Sequence, residues 1–318
     1  MPKIHHCPEK LLKQDLAGKV YVVTGGNSGI GRVTVEQLAR QGANVVLGCR
    51  RLQEGVRVAE AITASGTRGE LEVIELNLAS LKSVREFSAK VLERYPVIHG
   101  LVNNAGVMNS PRQKTTDGFE LQFGTNHLGH FLLTELLITA LKRGAPSRVV
   151  NVSSCFHDRA MGREGMIDFE DLNFEVRKYD GWTAYAQSKL ANLLHAKHLA
   201  KVLSGTGVTT ASVHPGWVRS NLIQFSMPVF LQDFLLRPIL RLAGMLEPWE
   251  GAQSTLYALL APEVEQKSGG YFSQVGIYRT REAQRGGWPL HSPNPNAHDD
   301  GTAERLYQVS RQLVGLGN

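Results

Sequence analysis

The strongest constraint on the fold lies near the start of the chain. A short β-rich run, Val20-Tyr21-Val22-Val23, leads directly into Thr24-Gly25-Gly26-Asn27-Ser28-Gly29-Ile30-Gly31. A helical pattern follows from Ile30 to about Gln41 and is closed by Gly42. Glycine permits a tight turn and lets the backbone approach a pyrophosphate. The helix N-terminus supplies free N–H groups and the positive end of a dipole. Outside this context the G-x-x-x-G-x-G spacing of Gly25, Gly29 and Gly31 is only a turn. Between a strand and a helix it predicts a dinucleotide-binding loop made by Gly25, Asn27, Ser28, Gly29, Ile30 and Gly31.

The same beat repeats downstream. Strands are expected at 44–49, 71–75, 100–102, 148–152 and 208–213, with a last one near Phe272. Helices are expected at 52–65, 81–95, 119–142 and 183–203. Strands separated by helices predict a parallel sheet covered on both faces, and right-handed crossovers make it doubly wound. The alternation runs through most of the 318 residues, which argues for one α/β domain, 18–318, preceded by an N-terminal extension, 1–17. Two segments break the rhythm. Residues 155–182 read as a polar loop. Residues 222–246 are rich in Leu, Phe and Pro, with Asp233, Arg237 and Arg241 on one helical face. That segment reads either as a helix packed on the core or as a substrate lid that also touches membrane.

Charge and cysteine usage exclude several classes. The net charge of +6 is spread along the chain without a run of five like charges, so no nucleic-acid partner is expected. Three cysteines, Cys7, Cys49 and Cys155, suggest reduced thiols and an intracellular setting. No stretch of about 18 uninterrupted apolar residues occurs, and a cytoplasmic protein is expected. His195 and His198, and the trio His5-His6-Cys7, lack the further ligands of a metal site, and none is expected.

The second strand ends in Cys49, followed by Arg50 and Arg51. No carboxylate stands there to bind a ribose 2′-hydroxyl or repel a 2′-phosphate, and two guanidinium groups are available to bind one. This favours NADP(H) over NAD(H). Tyr185 and Lys189 are four apart and so share a helix face. The ammonium, with a positive nicotinamide ring, would lower a phenol pKa of about 10 and fit the tyrosine for acid–base work.

The glycine loop, Asn103-Asn104-Ala105-Gly106, Asn126, Asn151-Val152-Ser153-Ser154, Tyr185 with Lys189, and Pro215-Gly216 occur in that order. Together they resemble the short-chain dehydrogenase/reductase family. Val45 to Arg50, Leu78 to Val84, Asn126 to Phe131 and Ser188 to Asn192 resemble its retinol-dehydrogenase-like branch, as do Gly251-Ala252-Gln253 and Arg305-Leu306-Tyr307. The resemblance implies a single Rossmann-type doubly wound domain that transfers hydride between a nicotinamide and a carbonyl/alcohol pair. Tyr185 would be the acid–base. Lys189 would bind the nicotinamide ribose, Ser154 would orient the carbonyl oxygen, and Asn126 would hold a relay water. Asn104, Ala105 and Gly106 would line the adenosine side. Pro215, Gly216, Val218 and Ser220 would clamp the carboxamide, and Trp217 would meet substrate. A homodimer through the long helices is also implied.

Three departures stand out. Asn77, followed by Leu78, replaces the usual adenine-facing Asp. Ser220 replaces the usual Thr. Tyr185 follows Ser154 by 31 positions, an unusually long interval. The retinol-handling members carry an N-terminal membrane anchor. No comparable apolar stretch is read here, so retinoid specificity is not carried over. The apolar segment 222–246 suggests a lipophilic carbonyl such as a retinoid, a steroid or a fatty aldehyde. The rival reading is a dinucleotide-binding sensor or scaffold with little catalysis, against which the complete catalytic set argues.

Overall fold

The computed structural model describes residues 4–219 and 244–317. Its centre is a seven-stranded sheet: β1 (Val20–Thr24), β2 (Asn44–Cys49), β3 (Leu71–Glu75), β4 (Gly100–Asn103), β5 (Ser147–Val152), β6 (Val208–His214) and β7 (Gly270–Ser273). The order across the sheet is β3-β2-β1-β4-β5-β6-β7 and every pairing is parallel. The carboxyl ends of all seven strands therefore lie along one edge, and the order reverses between β1 and β4. Open α/β sheets bind ligands at such a switch point.

The central strands are buried along their length because both faces of the sheet are covered, while edge strand β3 carries Glu72 and Glu75. Successive side chains point to opposite faces. Val22, Val46, Leu101 and Val149 face one core, with α3 (Leu81–Arg94), α4 (Gly129–Arg143), α5 (Gly181–Val202) and α7 (Asp300–Leu313) supplying Phe87, Phe131, Leu194 and Leu306. Tyr21, Val23, Val45, Leu47, Val102 and Val150 face the other. There α1 (Gly29–Arg40), α2 (Leu52–Ala64) and α6 (Pro248–Leu260) bring Leu38, Ile62 and Leu256.

The single helix expected over 119–142 is divided. A short turn, Leu121–Phe123, leads into a π-helical stretch, Gly124–Leu128, before α4 begins. The extra residue per turn falls around Asn126, as is common where a helix serves a site. Inside the polar loop, Arg159–Ala160 and Arg163–Glu164 pair as a small antiparallel hairpin. Buried Asp158, immediately before it, accepts from Arg279 N at 2.8 Å and pairs with the Arg279 guanidinium. The long interval between Ser154 and Tyr185 is thus held to the C-terminal part of the chain.

Residues 4–17 pack onto the domain. Leu11 and Leu16 are buried, and Cys7 N donates to Gln253 Oε1 at 3.0 Å. The long helices are partly covered within one chain. On α7, Tyr307 Oη donates to Glu135 on α4 at 3.0 Å, and Lys197 on α5 pairs with Asp300 at 2.9 Å. Cys7, Cys49 and Cys155 are free and buried. Among the described residues no helix is long and apolar enough to cross a membrane.

Asp158→Ala leaves the partly buried Arg279 without its main counter-charge, and breaking such a pair costs about 3 kcal/mol. Equilibrium urea unfolding should show a loss of that size, against a much smaller one for exposed Arg305→Ala, whose partner Glu170 is also exposed.

Candidate active site

The glycine loop is shaped by close backbone contacts. Gly25 and Gly29 have φ of 66° and 52°, which favours glycine at both. A Cβ on Gly31 would lie 2.4 Å from the Gly25 carbonyl oxygen and 2.6 Å from Asn104 Nδ2. The loop is pinned to the end of β4. Asn104 Nδ2 donates to Thr24 O at 2.8 Å, while Thr24 Oγ1 accepts from the backbone N–H groups of Asn104 and Ala105 at 2.9 and 3.0 Å. Ser28, at the N-cap of α1, makes no side-chain capping bond. The first-turn N–H groups of α1 thus face the carboxyl edge without a side-chain cap, and this cradle fits a dinucleotide pyrophosphate.

Beyond the end of β2 the structure adds a group to the sequence reading. Arg50 and Arg51 are exposed after β2, as expected, but a carboxylate is also present. Glu54, in the first turn of α2, turns back so that its Oε2 lies 2.8 Å from Arg51 Nε and 3.5 Å from Asn27 Nδ2. Gly55 permits this. A Cβ there would stand 2.6 Å from Cys49 Sγ, so only glycine lets α2 sit so close to β2. Reading the strand end alone missed Glu54. Its place in the first helical turn was the available signal. Asn77 Oδ1 accepts from Ala79 N at 3.1 Å, so this oxygen caps its own turn. Leu78 is buried, and its carbonyl would lie 2.5 Å from a Cβ on Gly129.

Ser154, Tyr185 and Lys189 come together at the end of β5 and the start of α5. Tyr185 is 3% exposed. The Ser154 side chain stands beside its hydroxyl and favours the phenolate, while burial dominates and holds the phenol above its ordinary value. Lys189 is also buried. Its Nζ lies 5.5 Å from the Tyr185 ring centre and donates to Val152 O at 3.0 Å. Burial lowers its pKa to about 7. Ser153 Oγ instead donates to Lys189 O at 2.7 Å, a bond that fixes the helix. Ser154 is therefore the serine beside the tyrosine. Gly106 belongs to the same pocket, since a Cβ there would lie 3.6 Å from Lys189 Nζ and 3.0 Å from Asn126 Oδ1.

Asn126 is fully buried in the π-helical stretch. Its Oδ1 accepts from Val107 N at 2.8 Å, and its Nδ2 donates to Val107 O at 2.9 Å and Ser188 Oγ at 3.0 Å. The side chain clamps the segment after β4 to α5. His130, unremarked in the sequence, completes this clamp. Its Nδ1 donates to Asn126 O at 2.9 Å, leaving Nε2 to accept from the Thr24 hydroxyl at 2.8 Å. Burial lowers its pKa to about 4, so the ring is neutral.

Pro215 and Gly216 follow β6, and Val218 pairs with Leu246. A Cβ on Gly251 would lie 2.4 Å from Val218 Cγ2 and 3.3 Å from Ile30 Cγ1, so α6 seats this turn against the glycine loop. Trp217 is 41% exposed. Ser220 and most of the proposed lid, including Asp233, Arg237 and Arg241, lie outside the described residues. Leu246, the last lid residue, is instead tied to the turn, with its N–H donating to Trp217 O at 2.6 Å. Phe156 meets both Trp182 and Tyr185 edge-on, with centroids 5.4 and 6.2 Å away. An aromatic wall thus stands beside the tyrosine. Phe156 also escaped the sequence reading, because no spacing marks it. His195 Nδ1 lies 3.3 Å from Asn151 Nδ2 in the core, and the described residues contain no cluster of three or more metal-ligating side chains.

Fold and site define a class, and comparison with known proteins agrees. The short chain dehydrogenase family profile matches residues 19–166. Human retinol dehydrogenase 13 is 42% identical over 312 residues, covering 98% of this chain and 88% of that protein. Human retinol dehydrogenase 12 is 45% identical over 301 residues, covering 95% and 88%. The chain belongs to the short-chain dehydrogenase family of oxidoreductases and is similar to its retinol dehydrogenases. Among solved structures, an uncharacterized protein from Mycobacterium Paratuberculosis superposes with a TM-score of 0.72 at 35% identity, covering 95% of both chains. The Pseudomonas aeruginosa RhlG/NADP active-site complex shares the fold, with a TM-score of 0.65 at 24% identity, covering 82% of this chain and 96% of that one.

Because the folded state holds the Lys189 pKa near 7, below the usual 10.5, burial of the ammonium penalises folding most below pH 7. The penalty fades as pH rises from about 7 through 10.5, where the unfolded chain also loses the proton. Lys189→Met should therefore raise Tm more at pH 6 than at pH 10 in differential scanning fluorimetry. An equal shift at both would contradict a buried, charge-penalised lysine.

Proposed function

We propose that this protein is an NADP(H)-preferring oxidoreductase that interconverts a lipophilic aldehyde or ketone and its alcohol, with Tyr185 as acid–base. The observation that carries this reading is the placement of the Ser154 side chain beside buried Tyr185, with Lys189 Nζ 5.5 Å from the same ring. The cradle of Gly25, Asn27, Ser28, Gly29, Ile30 and Gly31 would hold the pyrophosphate, and Arg50 and Arg51 the 2′-phosphate. Asn77, Leu78, Asn104, Ala105 and Gly106 would line the adenosine side. Pro215, Gly216, Val218 and Ser220 would hold the carboxamide. When bound, the dinucleotide supplies or accepts the hydride.

The chain's own groups handle the proton. In reduction, Ser154 donates a hydrogen bond to the substrate oxygen and orients it. The neutral Tyr185 hydroxyl, the form its burial favours, gives its proton as negative charge builds on that oxygen. Lys189, once protonated beside the bound ribose and phosphates, stabilises the tyrosinate left behind. Asn126 keeps this geometry through Val107 and Ser188 and presents a relay water to Lys189. In oxidation the same steps run backwards.

The lipophilic substrate is supported by the aromatic wall of Phe156 and Trp182, by exposed Trp217 and by the retinol dehydrogenases among the relatives. The protein would work in the cytoplasm, with peripheral membrane contact through 222–246 and a homodimer as further parts of this reading. Turnover of a panel of lipophilic aldehydes and ketones with NADPH and NADH tests it. Tyr185→Phe should lower kcat about 10³-fold and Ser154→Ala about 10²-fold, both with NADPH affinity kept. Full biological activity in Tyr185→Phe would favour a dinucleotide sensor instead.

A further inference from the structure

We infer that Glu54 is a specificity-determining residue that holds Arg51 away from the 2′ position of the adenosine ribose and so restrains the preference for a 2′-phosphorylated dinucleotide. The inference rests on the placement of NADP(H) proposed above. Arg51 directly follows the turn out of β2, where a parallel sheet of this order presents the ribose. The Glu54 carboxylate lies 2.8 Å from Arg51 Nε and 3.5 Å from Asn27 Nδ2 in the glycine loop. It therefore bridges the two segments between which an adenosine ribose enters.

A 2′-phosphate arriving here meets one guanidinium already paired and one carboxylate of its own sign. Arg50 is different. It is exposed and has no ion-pair partner among the described residues. The two arginines are therefore unequal, Arg50 being available and Arg51 being contested. Gly55 makes the contest unavoidable, because it seats the first turn of α2 against Cys49. The carboxylate is also stabilised by its place in the first turn of a helix. A 2′-hydroxyl carries no such charge and meets no such repulsion.

Equilibrium binding to the full chain tests this, with 2′,5′-ADP and 5′-AMP as probes that differ only by the 2′-phosphate, followed by NADPH and NADH. Glu54→Gln keeps the shape and removes the charge. It should tighten 2′,5′-ADP and NADPH about five-fold while leaving 5′-AMP and NADH within about two-fold. In an Arg51→Ala background the same substitution should lose most of that gain, and raised salt should shrink it. Equal changes for both probes, or none, would overturn the inference and leave Glu54–Arg51 as an ordinary surface pair. The NADP(H) reading is judged separately by the wild-type ratio of NADPH to NADH affinity. Glu54 is judged only by how that ratio moves, so either can fail alone.

Discussion

A lysine amine taken out of water with no carboxylate beside it is the constraint around which this molecule is organised. Lys189 is buried, and burial is the one cause acting on its pKa. Its amine donates to a backbone oxygen, Val152 O, at the last residue of β5. Only a strand that ends at that point can offer the carbonyl, and only a helix that passes close by can offer the lysine. Ser153 and Asn192 add bonds between the same strand end and the same helix. The parallel sheet supplies this because its strands all terminate along one edge. The grouping of Ser154, Tyr185 and Lys189 is thus a property of how β5 meets α5.

The polar clamps around it form one connected set. Asn104 ties the glycine loop to β4, Asn126 ties the segment after β4 to α5, and His130 joins the two through Thr24. Each is buried or half-buried and bonded to backbone, so each fixes a turn without help from packing. Buried polar groups in such a chain have little freedom to move independently. The π-helical turn belongs to the same device, because it places Asn126 where its amide can reach two neighbouring segments.

Much of this was legible in the chain before folding. The apolar strands, the glycine turn and the Tyr185/Lys189 spacing express local periodicity and backbone need, which a linear reading captures. The paired serines were separable too, and Ser154 is the one beside Tyr185. What escaped was set by distant pieces. Glu54 reaches Arg51 and Asn27 because α2 packs close against β2, and Gly55 gives the reason only once Cys49 is its neighbour. His130 looks like part of a helical run until Thr24 stands across from it. The helices α6 and α7 carry only the phrases Gly251-Ala252-Gln253 and Arg305-Leu306-Tyr307 and no catalytic residue, so their burial against the core was invisible to motif reading. The divided helix at 121–143 likewise follows from tertiary bonds of Asn126, not from propensity.

The bridge between Val218 and Leu246 has a further consequence. The backbone leaves the turn after β6 at Trp217–Arg219 and is fastened there again at Leu246, with Leu246 N donating to Trp217 O and Arg219 N to Leu246 O. The stretch between is closed off at its root, so the distance its two ends must span is independent of its length. Loop-closure entropy grows only slowly with length. Exchange of that stretch for one of another size or composition therefore leaves β6, α6 and the carboxyl edge of the sheet in register. Architecture of this kind lets the length between two fastened ends drift while the frame that fastens them stays put.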